Sequence, residues 1–278
     1  MRYGIKTAPQ HCSWQEMLDI WTTADDIDLY ESAWNFDHFY PLMGDTDGPC
    51  MEAWVTLSAL AQATSRIRIG CMVNGIHYRH PAVLANMAAS LDIVSGGRLD
   101  LGLGAGWHEG ESAAYGIDLG SLTRRFDRFD EAVEVIVSML SQGTTSFAGE
   151  FFEITEARCE PKGPQQPHPP IVIGGGGERR TLRTVARWAQ HWNLSFADPE
   201  KFAQKRDVLH RHCADIGRDP GEIECSVQIA LAADADLPAV VEQSMALHAA
   251  GVDIVIYTMR DPYRAALVEG LAEALRDA

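Results

Sequence analysis

The strongest constraint on this chain is an alternation of short apolar strands with helices, repeated eight times over 278 residues. Strands are read at Tyr3–Lys6, Ser32–Asp37, Ile67–Val73, Leu99–Leu103, Ile171–Ile173, His191–Ser195, Ile223–Ala230 and Ile254–Tyr257. Helices follow them: one capped by Ser13 and ending near Ile27, then Met51–Ala63, one opened by Pro81, and Arg124–Leu140. The second half adds Arg179–Ala189, Pro199–Ile216, Leu237–Ala250 and Tyr263–Leu275. Strictly alternating elements imply a parallel sheet, because parallel neighbours need a crossover between them. Eight units favour closure, so the expected fold is α/β: a single (β/α)8 TIM-type barrel forming one domain over residues 1–278. A long insertion between strands 4 and 5 is expected, comprising the helix Arg124–Leu140, a hairpin at Thr144–Thr155 turning at Ala148-Gly149 and a proline-rich connector, Pro161–Pro170.

Two helix starts carry their own signals. Ser13 with Glu16 has capping-box spacing, and Pro81 suits a first helical turn because its missing N–H would be unsatisfied there anyway. Composition sets the outer limits. The chain is 46% hydrophobic, enough for a full core, and no apolar run reaches the ~18 residues that span a bilayer. A formal charge of −16 argues against nucleic acid and anionic membrane as partners. Six scattered cysteines without a Cys-x-x-Cys suit reduced thiols, and with no basic-then-apolar leader they point to a cytoplasmic protein. His210, His212 and Cys213 read as surface-helix residues, and no metal site is expected.

Barrel enzymes place their chemistry on the loops after the strand C-termini. That rule selects Asp37, His38 and Phe39 after strand 2, and Asn74, His77, Tyr78, Arg79 and His80 after strand 3. Strand 4 runs into Gly102, Gly104 and Gly106, then Trp107, His108, Glu109 and Glu111; strand 6 is followed by Asn193. After strand 5 come four glycines, Gly174–Gly177, opening a helix. Free amides and the positive end of a helix dipole suit a phosphate there. Glu178 works against an anion, whereas Arg179, Arg180 and Thr181 favour one.

Longer motifs connect these junctions: Phe36-Asp37-His38-Phe39, Thr64-Ser65-Arg66-Ile67-Arg68-Ile69-Gly70, Tyr78-Arg79-His80-Pro81-Ala82, Leu91-Asp92-x-x-Ser95-Gly96-Gly97-Arg98, Gly102-x-Gly104-x-Gly106-Trp107-His108 and Pro169-Pro170-Ile171-x-Ile173-Gly174-Gly175. In this order the chain resembles the bacterial luciferase-like monooxygenase superfamily, in its coenzyme F-420-dependent oxidoreductase branch, from strand 1 to about residue 225. The resemblance implies a flavin or deazaflavin in the barrel mouth, with its phosphate on Gly175, Gly176 and Gly177. It implies a ring lined by Asp37, Cys71, Met72, Asn74, Gly106 and Trp107. It assigns His38 as the acid/base at the hydride site. It gives Glu109 the role of the glutamate proton donor that some relatives carry after the strand 4 glycines. Trp107 and His108 occupy that place itself, with Glu111 close behind. The usual Ala-Asp-Gly-Trp reads Ala189-Gln190-His191-Trp192 here, a departure expected to reshape the site of the cofactor's tail. Relatives also carry a cis peptide between two non-proline residues at the end of strand 3, which registers on Cys71–Met72.

The implied activity is hydride transfer between coenzyme F-420 and a small apolar organic substrate, in a homodimer. The alternatives are an FMN-dependent monooxygenase and a catalytically idle flavin-binding barrel. His38, with an ordinary pKa near 6.5, suits the single proton that hydride transfer requires.

Overall fold

The computed structural model describes residues 1–278. Eight parallel strands form the centre: β1 (Arg2–Lys6), β2 (Tyr30–Asn35), β3 (Arg68–Cys71), β4 (Leu99–Gly104), β5 (Ile171–Gly174), β6 (His191–Leu194), β7 (Glu224–Leu231) and β8 (Ile254–Met259). Each pairs with the next in chain order, and β8 returns to β1 with Tyr3 opposite Val255. The sheet is thereby closed and leaves no unpaired edge. Strand β4 is buried along its whole length, as expected of a parallel strand with the barrel interior on one face and helices on the other.

The helices form the outer ring, each presenting one apolar stripe inward. In Trp14–Asp26 the inward residues are Met17, Ile20, Trp21 and Ala24. The capping box forms: Ser13 Oγ accepts from the Glu16 amide at 3.2 Å, and the Glu16 carboxylate accepts from the Ser13 amide at 2.7 Å. Pro81 opens Pro81–Val94 behind an N-cap, His80. Helix Leu122–Ser141 buries Phe129, Ala132, Val133 and Ile136 and packs along Pro81–Val94. The insertion hairpin pairs Thr145–Ala148 with Glu153–Ala157. Its connection covers residues 149–152, longer than a tight turn at Ala148-Gly149. The Glu131 carboxylate accepts the amides of Glu150, Phe151 and Phe152 and holds that loop to the barrel's helical ring.

Two differences from the sequence reading bear on function. Strand β2 ends at Asn35, which leaves Asp37 and His38 in the loop above it. Strand β3 ends at Cys71, and the chain rejoins the sheet as a two-residue strand, Asn74–Gly75, beside β4. The cis bond in this segment lies between Met72 and Val73, one residue beyond the expected Cys71–Met72, which is trans.

Candidate active site

At the C-terminal mouth of the barrel lies a cavity of about 470 Å³. It reaches from the loops after β2, β3 and β4 across to Gly174, Gly175 and Thr181, and down to Lys6, Asn193 and Gln228. A volume of this size falls in the range that holds a cofactor or drug-sized ligand.

On one wall His38 and Glu111 form a pair, with His38 Nδ1 2.8 Å from Glu111 Oε2. Glu111 sits in a short helix, Glu109–Ala114, that the sequence reading did not contain; His108 caps it by accepting the Glu111 amide at 3.0 Å. The Glu111 carboxylate is fully buried and also accepts from Tyr78 Oη and from the amides of Phe39 (2.5 Å) and Tyr40 (3.1 Å). Burial pushes its pKa up, but the bonds from His38, Tyr78 and Phe39 outweigh that and bring it down to about 2. Glu111 is therefore a carboxylate at any ordinary pH and can only accept. His38 Nδ1 must then carry the hydrogen, and Nε2 makes no hydrogen bond within the protein.

Glu109, assigned by sequence as the proton donor, does not reach this pair. Its side chain is 86% exposed and lies 3.8 Å from Arg125. Two helical steps of about 100° separate it from Glu111, so when one of these side chains faces inward the other faces solvent. The inward glutamate is Glu111.

Asp37 lines the cavity at 1% exposure. Its Oδ2 accepts from Arg79 at 2.6 Å and from the Gly75 amide at 3.3 Å, whereas Oδ1 has no partner. Burial raises the Asp37 pKa, opposed by Arg79, whose other nitrogen reaches Glu52 at 2.6 Å. Met72, Asn74, Gly106 and Trp107 line the cavity too; Cys71 does not. The Cys71 thiol belongs to the main apolar core, since alternation along β3 turns it away from the mouth. Asn74 is held by Trp54 Nε1 at 2.7 Å and by the Gly102 carbonyl at 2.6 Å. Gly106 has φ +85°, and a Cβ there would fall 2.3 Å from His77 Nδ1, so only glycine fits. His77 is neutral at pH 7, pushed down to about 4 by burial and by Arg128.

Opposite, the glycine run leaves β5 with φ +116° at Gly175. The Gly175 amide donates to the Asn193 carbonyl at 2.9 Å, and its carbonyl accepts from Trp192 Nε1 at 2.8 Å. Gly175 borders the cavity; Gly176 and Gly177 are not among the residues that line it, and their amides donate to no protein group. The helix beyond starts at Thr181, not at Arg179. Arg180 is already taken by Asp127 and Asp130, at 2.7 and 2.9 Å, and Glu178 is neutralised by Lys205 at 2.7 Å. The cationic help expected from Arg180 is thus spent elsewhere. His191 does not touch this region: it is buried at the lower end of β6, 2.6 Å from Ser226, and lines a separate cavity at the N-terminal end of the barrel. Trp192, which keeps the usual residue, reaches the glycine run, whereas the departing Gln190 and His191 bond to Ile171 and Ser226 instead.

The sequence reading placed Lys6 at the end of strand 1 but gave it no role in the site. It ends β1, faces the cavity and donates to Gln228 Oε1 at 3.0 Å. The available signal was its place at the C-terminal end of a barrel strand.

Known proteins resemble the chain in sequence and in fold. The chain is 32% identical over 176 residues to an uncharacterized protein of Mycobacterium tuberculosis, covering 59% of this chain and 61% of that one. It is 29% identical over 178 residues to a coenzyme F-420-dependent glucose-6-phosphate dehydrogenase of Amycolatopsis mediterranei, covering 63% and 52%. The chain thus spans between half and two-thirds of the length of these relatives. Among solved structures, a coenzyme F-420-dependent secondary alcohol dehydrogenase in complex with an adduct of that coenzyme and acetone superposes with TM-score 0.87 at 18% identity, over 99% of each chain. The family model described as luciferase-like monooxygenase matches residues 1–277, and the chain belongs to that family.

Proposed function

We propose that this chain is a coenzyme F-420-dependent oxidoreductase that moves hydride between the deazaflavin and a small apolar organic substrate. The observation that carries the reading is the His38–Glu111 pair at the cavity wall, with His38 Nε2 free. The cavity's other residues fit such a group. Asp37 Oδ1 is buried without a partner and accepts an N–H or O–H. The amides of Gly176 and Gly177 are free for a phosphate, and a Cβ on Gly176 would come 2.8 Å from Leu194 Cδ1, so a side chain there must displace that methyl.

When bound, a deazaflavin supplies a carbon that takes or gives a hydride and reacts poorly with oxygen. The chain's own task is to hold that ring and handle one proton. Anionic Glu111 keeps the hydrogen on His38 Nδ1, so Nε2 acts as base when substrate is oxidised, and the imidazolium so formed acts as acid in reverse. The charge that develops on His38 is stabilised by a carboxylate 2.8 Å away. Phe36 and Trp107 flank the His38 ring at 5.2 and 5.5 Å between centroids and present apolar surface to a substrate.

Equilibrium titration with coenzyme F-420 and with FMN tests the assignment. Tighter binding of coenzyme F-420 is expected; micromolar FMN binding with none of coenzyme F-420 refutes it in favour of the FMN-dependent alternative. The chain is further proposed to pair with a second copy through Ala53–Ala63 and Pro81–Val94, where Val55, Val83 and Val94 are 72%, 54% and 46% exposed. Sedimentation showing a monomer at micromolar concentration removes that part.

A further inference from the structure

Lys6 is the one lysine or arginine among the side chains lining the upper cavity. An ammonium has three N–H donors. Lys6 uses one of them, on Gln228 Oε1, and no carboxylate lies within ion-pair distance of it. Gln228 is itself held on both sides of its amide. Its Oε1 also accepts from Thr258 at 3.0 Å, and its Nε2 donates to Asn193 Oδ1 at 2.6 Å; Asn193 Nδ2 in turn donates to Ser226 Oγ at 2.8 Å. The barrel floor thus aims and fixes Lys6 without neutralising it. The other deep cations are treated differently: Arg79 has Asp37 and Glu52, and Arg68 has Asp100. Burial without a counter-charge pushes the Lys6 pKa down to about 8. Such a group is expensive to keep unless something in the cavity accepts its remaining hydrogens.

We propose that Lys6 is a cofactor-binding residue, its two spare N–H groups receiving the carbonyl-bearing pyrimidine edge of the ring and stabilising the negative charge that this edge gains on reduction. This rests on the function proposed above. Flavins and deazaflavins share that edge: two carbonyl oxygens and a ring nitrogen that becomes anionic in the reduced form. A lysine beside it favours the reduced, ionised state over the oxidised one. Gln228 and Thr258, from β7 and β8, contribute no charge. The titratable or charged groups around Lys6 are Cys71 of β3 and Arg260 after β8, with Asp37, His38, His77 and Tyr78 on the cavity's other walls.

The test compares wild type with Lys6→Met and Lys6→Arg, each checked for a native thermal transition; Lys6→Gln replaces the Met variant if that one does not fold. Coenzyme F-420 and FMN, oxidised and reduced, are titrated into each protein, and ionisation of the bound reduced ring is followed by absorbance against pH. Removing the charge is expected to weaken reduced-ring binding by about tenfold, as for loss of a charge-assisted hydrogen bond. The oxidised form should be affected less, the bound ring should ionise at higher pH, and arginine should restore both. Equal weakening of both redox forms with unmoved ionisation means a structural Lys6 and overturns the proposal, as does wild-type behaviour of the Met variant. If neither cofactor binds wild type, the proposed function falls as well, an outcome distinct from normal binding that ignores Lys6.

Discussion

Replacing Glu111 by glutamine changes charge and donor pattern at almost constant shape. In the native protein the carboxylate accepts four hydrogen bonds, from His38, Tyr78 and the amides of Phe39 and Tyr40. Glutamine keeps one acceptor oxygen, which the two amides can share, and turns an NH2 toward His38 Nδ1 and the Tyr78 hydroxyl. His38 can satisfy that NH2 only by moving its hydrogen to Nε2, so the free nitrogen becomes a donor and the base is lost. Turnover in the direction that needs the base should fall by about 10²–10⁴, with cofactor affinity within a few-fold. Stability responds as well. The Glu111 pKa drops from 4.5 to about 2 on folding, which corresponds to about 3 kcal/mol at pH 7 at ~1.4 kcal/mol per unit. Because the folded pKa is depressed, this stabilisation is complete above pH ~4.5 and is lost as pH falls towards ~2. Urea titrations of both proteins at pH 7, 5 and 3.5 should show a gap of about 3 kcal/mol that holds to pH 5 and narrows at 3.5. Equal stability at pH 7, or a gap indifferent to acid, would refute a paired, anionic Glu111; unchanged turnover would refute its hold on the His38 tautomer.

Three further outcomes are expected. His38→Ala should reduce turnover by about 10²–10⁴ with cofactor affinity nearly unchanged, measured once a substrate is in hand; wild-type turnover removes His38 from the chemistry. Gly176→Asp puts a side chain against Leu194 and a negative charge where an anion is expected. It should weaken cofactor binding by at least about 2 kcal/mol, and unchanged affinity in a folded variant excludes a phosphate on that run. Glu109→Gln, at an exposed position, should shift stability by less than about 0.5 kcal/mol and leave turnover intact; a large loss of activity would return the proton-donor role to Glu109.

The barrel was legible in the chain because its signals are local. Alternating strand and helix patterns, the Ser13–Glu16 box, Pro81 at a helix start and the glycines after β4 and β5 each act over a few residues, and each adopts the conformation its chemistry favours. Helix Pro199–Ile216 has the boundaries its sequence reads, with Asp198 as cap and Gly217 at φ +70° beyond its end. The neighbourhood of His38 after β2 was likewise readable, because the topology sends every strand's C-terminus to one mouth.

What the sequence could not decide is which members of those loops face each other. Glu109 and Glu111 are equivalent as letters. The short helix capped by His108 turns Glu111 toward His38, 73 residues earlier in the chain, and Glu109 toward water. Arg180 looked available for a phosphate until the Leu122–Ser141 helix brought Asp127 and Asp130 against it. Lys6 and Gln228 are 222 residues apart, and closure of the barrel alone puts them side by side on its floor. Local conformation follows from neighbouring residues, whereas the partner of a buried charge depends on packing among segments distant in sequence. At this site, those partners decide which glutamate meets His38, which nitrogen of His38 is engaged, and which cation faces the cavity.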